Sequence, residues 1–122
     1  EGMSESARTY EDLIVWRKAH DLVLGVYEVT ATFPKEEIFG LTSQVRRAAI
    51  SVPSNIVEGF NRKGKSDKLK FYNYSDASLE EMRYQLQLGH DLGFADTSTL
   101  QEKAKEVRRI LSSYTEKLKA SS

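Results

Sequence analysis

Apolar residues recur every three to four positions along four stretches of the chain, and that spacing is typical of helices with one buried face. The first stretch runs from about residue 12 to residue 32. Its stripe consists of Leu13, Trp16, either Ala19 or His20, Val23, Tyr27 and Ala31. Thr9 with Asp12 forms a capping pattern at its start, and Phe33-Pro34 ends it, because proline disfavours a helical conformation in the preceding residue. We therefore expect a first helix over residues 12–32.

The second stretch covers residues 41–61 and contains a proline within its helical pattern. Its apolar positions are Leu41, Val45, Ala48, Val52, Ile56 and Gly59. Pro53 lacks a backbone donor, and its ring clashes with the carbonyl of the residue one turn earlier. We expect a helix that is kinked at Pro53, and the alternative is a break into two helices.

Two further stretches complete the pattern in the second half of the chain. The third begins at Ser66, a residue type that favours the N-cap position, and closes at Gly93, which suits a C-terminal cap. Its stripe is Phe71, Ser75, Ser78 or Leu79, Met82, Leu86, Gly89 and Leu92. The fourth opens at Ser98, which forms a capping box with Gln101. Its stripe is Leu100, Ala104, Val107, Leu111, Tyr114 and Leu118.

Four helices of about 20 residues with short connectors predict an all-α fold in which consecutive helices are antiparallel. The simplest arrangement is an antiparallel up-down-up-down four-helix bundle. We assign residues 12–120 to this single domain and residues 1–11 to a flexible N-terminal segment. Within that segment, Glu1 and Gly2 ahead of Met3 look like a cloning remnant.

Composition adds a cellular context to this pattern. The chain has 39% apolar and 30% charged residues, a balance typical of folded amphipathic helices. It has no cysteine, which excludes disulfides and thiolate chemistry and suits a reducing cytoplasm. No apolar run reaches the roughly 18 residues that span a bilayer. We expect a cytoplasmic protein with no membrane partner.

The titratable residues form no recognisable catalytic or metal-binding pattern. Metal sites in helix bundles use Glu-x-x-His pairs, but the residues three positions before His20 and His90 are Arg17 and Gln87. We interpret His20 as a histidine at the edge of the core. His90 lies near a helix end, where the helix dipole favours an imidazolium. We expect a protein that is not an enzyme and uses no metal or other cofactor.

The most unusual stretch lies in the second helix, where polar residues interrupt the apolar period. This helix B cluster consists of Gln44, Arg46, Arg47, Asn55 and Glu58. Arg47 and Glu58 are close to three helical turns apart, so they share one helix face. We interpret the cluster as a buried polar network that joins helices or subunits, in which Arg47 pairs with Glu58 or with the Glu80-Glu81 pair. The alternative is a recognition surface for phosphate and bases.

A basic run follows the second helix and consists of Arg62, Lys63, Lys65, Lys68 and Lys70. The predicted topology places this turn beside Lys117 and Lys119 at the end of the fourth helix, which gives the bundle a basic pole. Because the formal net charge is zero, only such a local patch attracts nucleic acid. Phe71, Tyr72 and Tyr74 follow directly, and basic residues among aromatics suit single-stranded nucleic acid. The alternative is a solvated connector.

Several of these motifs, taken together, resemble one protein family. They are Leu13, Trp16 and Ala19; Phe33-Pro34; Phe39-Gly40-Leu41; Gln44; Arg46-Arg47-Ala48-Ala49; Ser51; Asn55-Ile56; Glu58-Gly59; and Leu92-Gly93. Over nearly its whole length the chain is similar to the four-helix-bundle proteins encoded in intervening sequences of bacterial 23S rRNA genes. Relatives of that family include the accessory variability determinant of diversity-generating retroelements, which is a basic partner of RNA and a reverse transcriptase.

The resemblance implies a bundle that associates into rings, typically pentamers, and closed rings are a common symmetry of homo-oligomers. We therefore expect a non-enzymatic, oligomeric structural or interaction module. The alternative is an RNA-associated accessory protein that binds nucleic acid, or a nucleic-acid-processing protein, through the basic pole of the assembled ring.

Overall fold

The computed structural model describes residues 7–121, and four α-helices account for most of them. They are α1 (Ile14–Thr30), α2 (Leu41–Asn61), α3 (Lys65–Asp91) and α4 (Ser98–Ala120). Short 3-10 turns precede α1 (Tyr10–Asp12) and α2 (Lys35–Glu37). Within the described range there is no β-strand, and the all-α prediction is confirmed. Residues 1–6 of the predicted flexible segment lie outside the described residues.

Contacts between α2 and α3 show that these two helices run antiparallel. Lys68 of α3 reaches the Phe60 carbonyl at 2.8 Å, and Ser75 of α3 reaches the carbonyl of Val52, also at 2.8 Å. The partners therefore move backward along α2 as the chain moves forward along α3. α2 and α3 form the most extensive pairing in the bundle.

The same relation holds where α4 closes the bundle. Tyr114 contacts Tyr72 with ring centroids 5.4 Å apart, and Arg108 bonds Asp76 at 3.0 Å, so α4 is antiparallel to α3. Glu106 pairs with Lys18 at 3.2 Å, and Leu100 lies beside Gly25, so α4 is also antiparallel to α1. Each helix contacts two neighbours, as an up-down-up-down four-helix bundle requires.

The buried face of α1 differs by one residue from the predicted stripe. The residues of α1 that enter the core are Val15, Ala19, Leu22 and Val26, together with Thr30. Trp16 and Val23 are half-buried, and Tyr27 is 41% exposed. Both faces carry apolar residues at helical spacing, and the small aliphatic side chains fit the narrow space between packed helices. The aromatic face of α1 is consequently turned outward.

The predicted stripes of the other helices match the core more closely. The fully buried side chains include Val45, Val52 and Ile56 of α2, Leu79, Met82 and Leu86 of α3, and Val107 and Leu111 of α4. Tyr72 takes the core position predicted for Phe71, and Leu92, predicted to be buried, is 55% exposed. α2 has the predicted bounds and continues through Pro53, so the alternative of two separate helices is wrong.

Helix ends are less well predicted than helix cores. α3 has its N-cap at Gly64, not Ser66, and α4 has its N-cap at Thr97, not Ser98. Thr97 takes this position because its hydroxyl donates to the buried Leu86 carbonyl at 2.7 Å. The prediction for Gly93 is confirmed, since it has a φ of 79° and closes α3 in a Schellman motif. The Gly93 amide donates to the His90 carbonyl, and the Phe94 amide donates to the Gly89 carbonyl.

The N-terminal capping pattern forms, but it caps a different element. The Asp12 carboxylate accepts hydrogen bonds from the backbone amides of Arg8 and Thr9 at 2.9 and 3.2 Å, and these bonds lower the pKa of Asp12. They close the 3-10 turn, and α1 begins two residues later, at Ile14. Among the helices that the structure describes, none has the length and apolarity needed to cross a membrane.

Candidate interaction surfaces

Arg46 of the helix B cluster joins α2 to the end of α1. Its Nε donates to Thr30 Oγ1 at 2.8 Å, and its guanidinium lies over the Tyr27 ring, 4.5 Å from the centroid. A terminal nitrogen also reaches the Tyr27 backbone carbonyl at 3.4 Å. A cation is favoured at this place because the dipole of α1 makes its C-terminal end negative. The role of Arg46 within one chain is therefore structural.

Arg47 and Glu58 lie on the surface and do not meet. Glu58 pairs with Arg62 at 2.9 Å, and Arg47 is exposed, with no ion pair within residues 7–121. Glu80 binds Arg83 and Arg108, and Glu81 accepts a hydrogen bond from Gln85. Within a single chain the buried Arg47 network is therefore wrong, because its proposed carboxylates have other partners or lie too far along the helix. A contact between subunits stays a prediction.

The remaining members of the helix B cluster are also separate from one another. Gln44 is exposed near the start of α2. Asn55 is half-buried, and its amide donates to the backbone carbonyl and hydroxyl of Ser51, both at 2.9 Å. Ser51 in turn accepts from the Ser78 hydroxyl at 2.8 Å, which ties α2 to α3. Asn55 thus helps to fasten two helices and does not face a free binding surface.

The basic run gathers at one end of the bundle, but most of its charges have local partners. Lys68 donates to the carbonyls of Phe60 and Gly59 at the end of α2, and partial burial lowers the pKa of Lys68. Lys65 donates to the Ser121 carbonyl, which brings the end of α4 to the same pole. Three side chains complete the run: Arg62 pairs with Glu58, Lys70 pairs with Asp67, and Lys63 is exposed.

Two of these cations lie beside an aromatic pair in which Tyr74 is exposed and Phe71 is half-buried. We call this group the aromatic-basic patch: Arg62, Lys70, Phe71 and Tyr74. The Arg62 guanidinium and the Lys70 ammonium lie 4.6 and 5.4 Å from the Phe71 ring centroid. Phe71 and Tyr74 form an edge-to-face pair at 5.7 Å, and Tyr74 is 48% exposed. Tyr72, predicted to belong to this group, is fully buried instead.

The outer side of α1 and α2 carries an apolar surface that the sequence stripes do not distinguish from core. We call it the α1–α2 face; its members are Trp16, Val23, Tyr27, Ile38 and Ile50. Two shallow grooves meet on it at Ile50. Groove 1, of about 360 Å³, lies beside Tyr27, Ile38 and Arg46. Groove 2, of about 260 Å³, is lined by Tyr10, Trp16, His20, Val23, Pro53, Ser54 and Val57.

Phe39 stands directly after Ile38 and is 95% exposed. Phe39 belongs to one of the motifs that resemble the family, but the pattern of apolar positions predicts no role for it. Its position in a short polar connector could have identified it as a candidate interaction residue, because nothing in such a connector requires an aromatic side chain. Phe39 is the most exposed large apolar residue in the described part of the chain.

A third groove, of about 870 Å³, follows the seam between α3 and α4. Arginine and lysine side chains line it, but Arg108 is held by Asp76 and Glu80, and Lys119 by Glu116. The hydrogen bond with Asp76 raises the pKa of Arg108. These ion pairs neutralise most of the positive charge, so the groove is a weak candidate for an anionic ligand.

Neither histidine takes part in a metal or catalytic arrangement. His20 is exposed and stacks on Trp16 at 5.1 Å with the ring planes 9° apart, so it is not a core-edge residue. The Nδ1 atom of His90 accepts a hydrogen bond from the Thr97 amide at 3.2 Å and lies 3.6 Å from the Asp96 carboxylate, so His90 links the end of α3 to the start of α4. The imidazolium stays a prediction. Across residues 7–121, no three acidic or histidine side chains are grouped to hold a metal ion.

Comparison with known proteins identifies the family. The family model described as 23S rRNA-intervening sequence protein matches residues 11–113, a range that contains α1, α2, α3 and most of α4. No curated protein matches the chain. The resemblance carried by the sequence motifs is confirmed, while the relation to the retroelement accessory determinant stays a prediction. The chain belongs to the family of 23S rRNA-intervening sequence proteins.

Proposed function

We propose that this protein is an oligomeric interaction module that assembles with copies of itself through the α1–α2 face. The observation that carries the proposal is the exposed apolar surface at one end of that face. Phe39 is 95% exposed, Ile38 48%, Ile50 42% and Tyr27 41%. Exposed apolar and aromatic residues grouped on one surface are typical of protein interfaces, since single exposed residues are common and clusters are not.

The proposed assembly is a closed ring of about five subunits, in the cytoplasm and without catalytic activity. The number comes from the family resemblance, and closed cyclic symmetry is a common solution for identical chains. Zero net charge supports association, because the subunits do not repel one another over long distances. Arg47 and Gln44 lie exposed at the N-terminal end of α2, where they can contribute polar contacts around the apolar centre.

Light scattering coupled to size-exclusion chromatography tests this function. We expect a mass of about five subunits at micromolar concentration. Replacing Ile50 with Glu places a charge in the centre of the face and should shift the mass toward the monomer. The matched control is Tyr84→Glu, because Tyr84 is 62% exposed on α3 and lines neither groove of the α1–α2 face. A wild-type chain that stays monomeric would overturn the proposal.

A second candidate function is RNA binding at the aromatic-basic patch. The observation that favours it is the pair of half-buried Phe71 and exposed Tyr74 beside Arg62 and Lys70, because bases stack on aromatic side chains while cations contact phosphates. A single subunit offers few free charges, so its affinity should be weak, with a dissociation constant of roughly 10⁻⁴ M at physiological salt. In a ring, identical patches on one face would raise affinity by a factor of about 10² or more.

Fluorescence anisotropy with a single-stranded RNA tests the second candidate. Tyr74→Ala should weaken binding about tenfold through lost stacking without changing the charge. Tyr84→Ala removes another exposed tyrosine from the same helix and should leave binding unchanged. Binding should also fall steeply between about 50 and 200 mM salt. If Tyr74→Ala and Tyr84→Ala bind as the wild type does, the aromatic-basic patch is only a solvated turn.

A further inference from the structure

The connector between α1 and α2 presents Phe39 in a fixed position. The Gly40 amide donates to the Glu37 carbonyl at 2.9 Å, and the Leu41 amide donates to the Glu37 carboxylate at 3.0 Å. The Ile38 amide donates to the Lys35 carbonyl at 3.1 Å. Hydrogen bonds on both sides of Phe39 thus hold its backbone, while its ring points away from the chain. An exposed aromatic ring on a fixed backbone is a suitable anchor for a partner, since little backbone entropy is lost on binding.

A receiving surface of matching chemistry lies elsewhere on the same chain. Groove 2 has an apolar and aromatic lining, with Trp16 and Tyr10 in edge-to-face contact at 4.9 Å. Val23, Pro53 and Val57 complete its floor and sides. Aromatic rings bind one another favourably in edge-to-face or offset geometry. A groove of about 260 Å³ suits one aromatic side chain and is small for a folded peptide or a drug-sized ligand.

Phe39 does not reach groove 2 of its own chain. It precedes the first turn of α2, whereas Pro53, Ser54 and Val57 belong to the second half of that helix. Twelve or more helical residues correspond to about 18 Å along the axis, well beyond the length of a phenylalanine side chain. The ring and the groove can therefore meet only between two copies.

The charges around the two surfaces are also complementary. Glu36, three residues before Phe39, is exposed and makes no ion pair in the part of the chain that the structure describes. Arg17, next to Trp16, bonds only the backbone carbonyl of Glu11, at 2.9 Å. An unpaired carboxylate beside the ring and an unpaired guanidinium beside the groove would favour the docked orientation.

We infer that Phe39 of one copy inserts into groove 2 of a second copy, between Trp16, Val23 and Val57, and that this contact is the anchor of self-association. The inference rests on the proposed assembly and names the contact that produces it. The two surfaces differ from each other, so a repeated contact of this kind can build a ring.

The test uses one variant for each side of the contact. Phe39→Ala removes the ring and keeps the groove, whereas Ser54→Trp fills the groove and keeps the ring. Both positions are exposed, so circular dichroism should show unchanged helix content. We expect each variant alone to raise the dissociation constant of self-association at least about thirtyfold, the effect of losing an interface hot spot. Tyr84→Ala is the control that removes another exposed aromatic ring, which is 62% exposed.

Mixing the two variants gives the decisive result. The Phe39→Ala chain offers an intact groove and the Ser54→Trp chain an intact ring, so the mixture can form one contact per pair. We expect light scattering to show a species of two subunits in the mixture and monomers in each variant alone. If Ser54→Trp disturbs folding, Val57→Gln spoils the same groove with a smaller change.

Different outcomes separate this inference from the proposed function. A monomeric wild type would overturn both. A wild-type oligomer that persists in Phe39→Ala would overturn only the inference. A third outcome would also overturn the inference: Phe39→Ala loses assembly, but Ser54→Trp and Val57→Gln keep it. That result would mean that the ring binds groove 1 of a partner related by two-fold symmetry.

Discussion

Two neighbouring arginines of α2 have opposite surroundings. Arg46 bonds Thr30 and covers the Tyr27 ring, whereas Arg47 extends into solvent. We expect Arg46→Ala to lower the free energy of unfolding by about 1 to 2 kcal/mol, because it removes a cation–π contact, the hydrogen bond to Thr30 and a longer, exposed one to the Tyr27 carbonyl. Arg47→Ala should change it by less than about 0.5 kcal/mol. Urea denaturation of both variants measures the difference, in a Phe39→Ala background that light scattering shows to be monomeric. Equal losses of stability would contradict the difference in surroundings.

The sequence could not decide between these two arginines, and the reason is geometric. Adjacent residues of a helix point about 100° apart, so an error of one residue exchanges a buried position for an exposed one. The same error of one residue occurred in α1 and α3. Trp16 and Phe71 were predicted to be in the core, but Val15 and Tyr72 are buried there instead. In α2 the predicted stripe matches the core more closely: all of its members are buried except Leu41, which is half-buried.

At the scale of elements, the start of α4 depends on a charged side chain. The hydroxyl and amide of Ser98 donate to the Asp96 carboxylate at 2.6 and 3.0 Å, and these bonds hold the pKa of Asp96 below its usual value of 3.8. The stabilisation is present above the pKa of the unfolded chain and is lost as the pH falls through the lower folded pKa. The wild type should therefore have a higher Tm than Asp96→Ala near pH 6. This difference in Tm should become smaller below about pH 3.8.

The nearby His90 has to be controlled in this experiment. Its Nδ1 atom lies 3.6 Å from the Asp96 carboxylate, so the His90 side chain also contributes to the surroundings of Asp96. Repeating the pH series in a His90→Gln background isolates the hydrogen bonds from Ser98. Thermal melts followed by circular dichroism provide the Tm values. A gap that is constant from pH 6 down to pH 2 would show that the Asp96 charge does not contribute.

The pairing of α2 with α3 depends on a glycine. A Cβ atom at Gly59 would lie 2.5 Å from Cε1 and 2.8 Å from Cδ1 of the fully buried Tyr72 ring. The ring also packs against Tyr114, so it has little room to move. We expect Gly59→Ala to lower the free energy of unfolding by about 1 to 3 kcal/mol through overpacking.

Gly64→Ala is the matched control, because a Cβ atom there meets nothing within 4 Å. Gly64 is the N-cap of α3 and has a negative φ of −86°, so alanine fits its backbone conformation. Its effect should be below about 1 kcal/mol, since a weaker N-cap and a less flexible unfolded chain oppose each other. Denaturant titration compares the two variants. A Gly59→Ala protein as stable as Gly64→Ala would mean that the Tyr72 ring shifts without cost.

At the scale of the whole molecule, the bundle could be predicted from the sequence and its outer surfaces could not. Four amphipathic stretches with short connectors allow few arrangements, so topology follows from the helix pattern. Surface features depend instead on which elements meet in space. Examples are the exposure of Phe39 and the hydrogen bonds of Lys65 and Lys68 to backbone carbonyls. The helix B cluster could not be predicted for the same reason, because its members are close in sequence but contact different partners.

Assembly through the α1–α2 face has a consequence for the stability of the whole protein. If folded chains associate and unfolded chains do not, mass action stabilises the folded state more at higher protein concentration. For a chain of this size, we expect the Tm of the wild type to rise by roughly 2 to 5 °C for each tenfold increase in concentration. Phe39→Ala should melt at one temperature throughout, while Tyr84→Ala should follow the wild type. Scanning calorimetry over about a hundredfold concentration range, with repeat scans to establish reversibility, makes the comparison. A wild-type Tm independent of concentration, in a sample that dissociates on dilution, would show that assembly does not stabilise the fold.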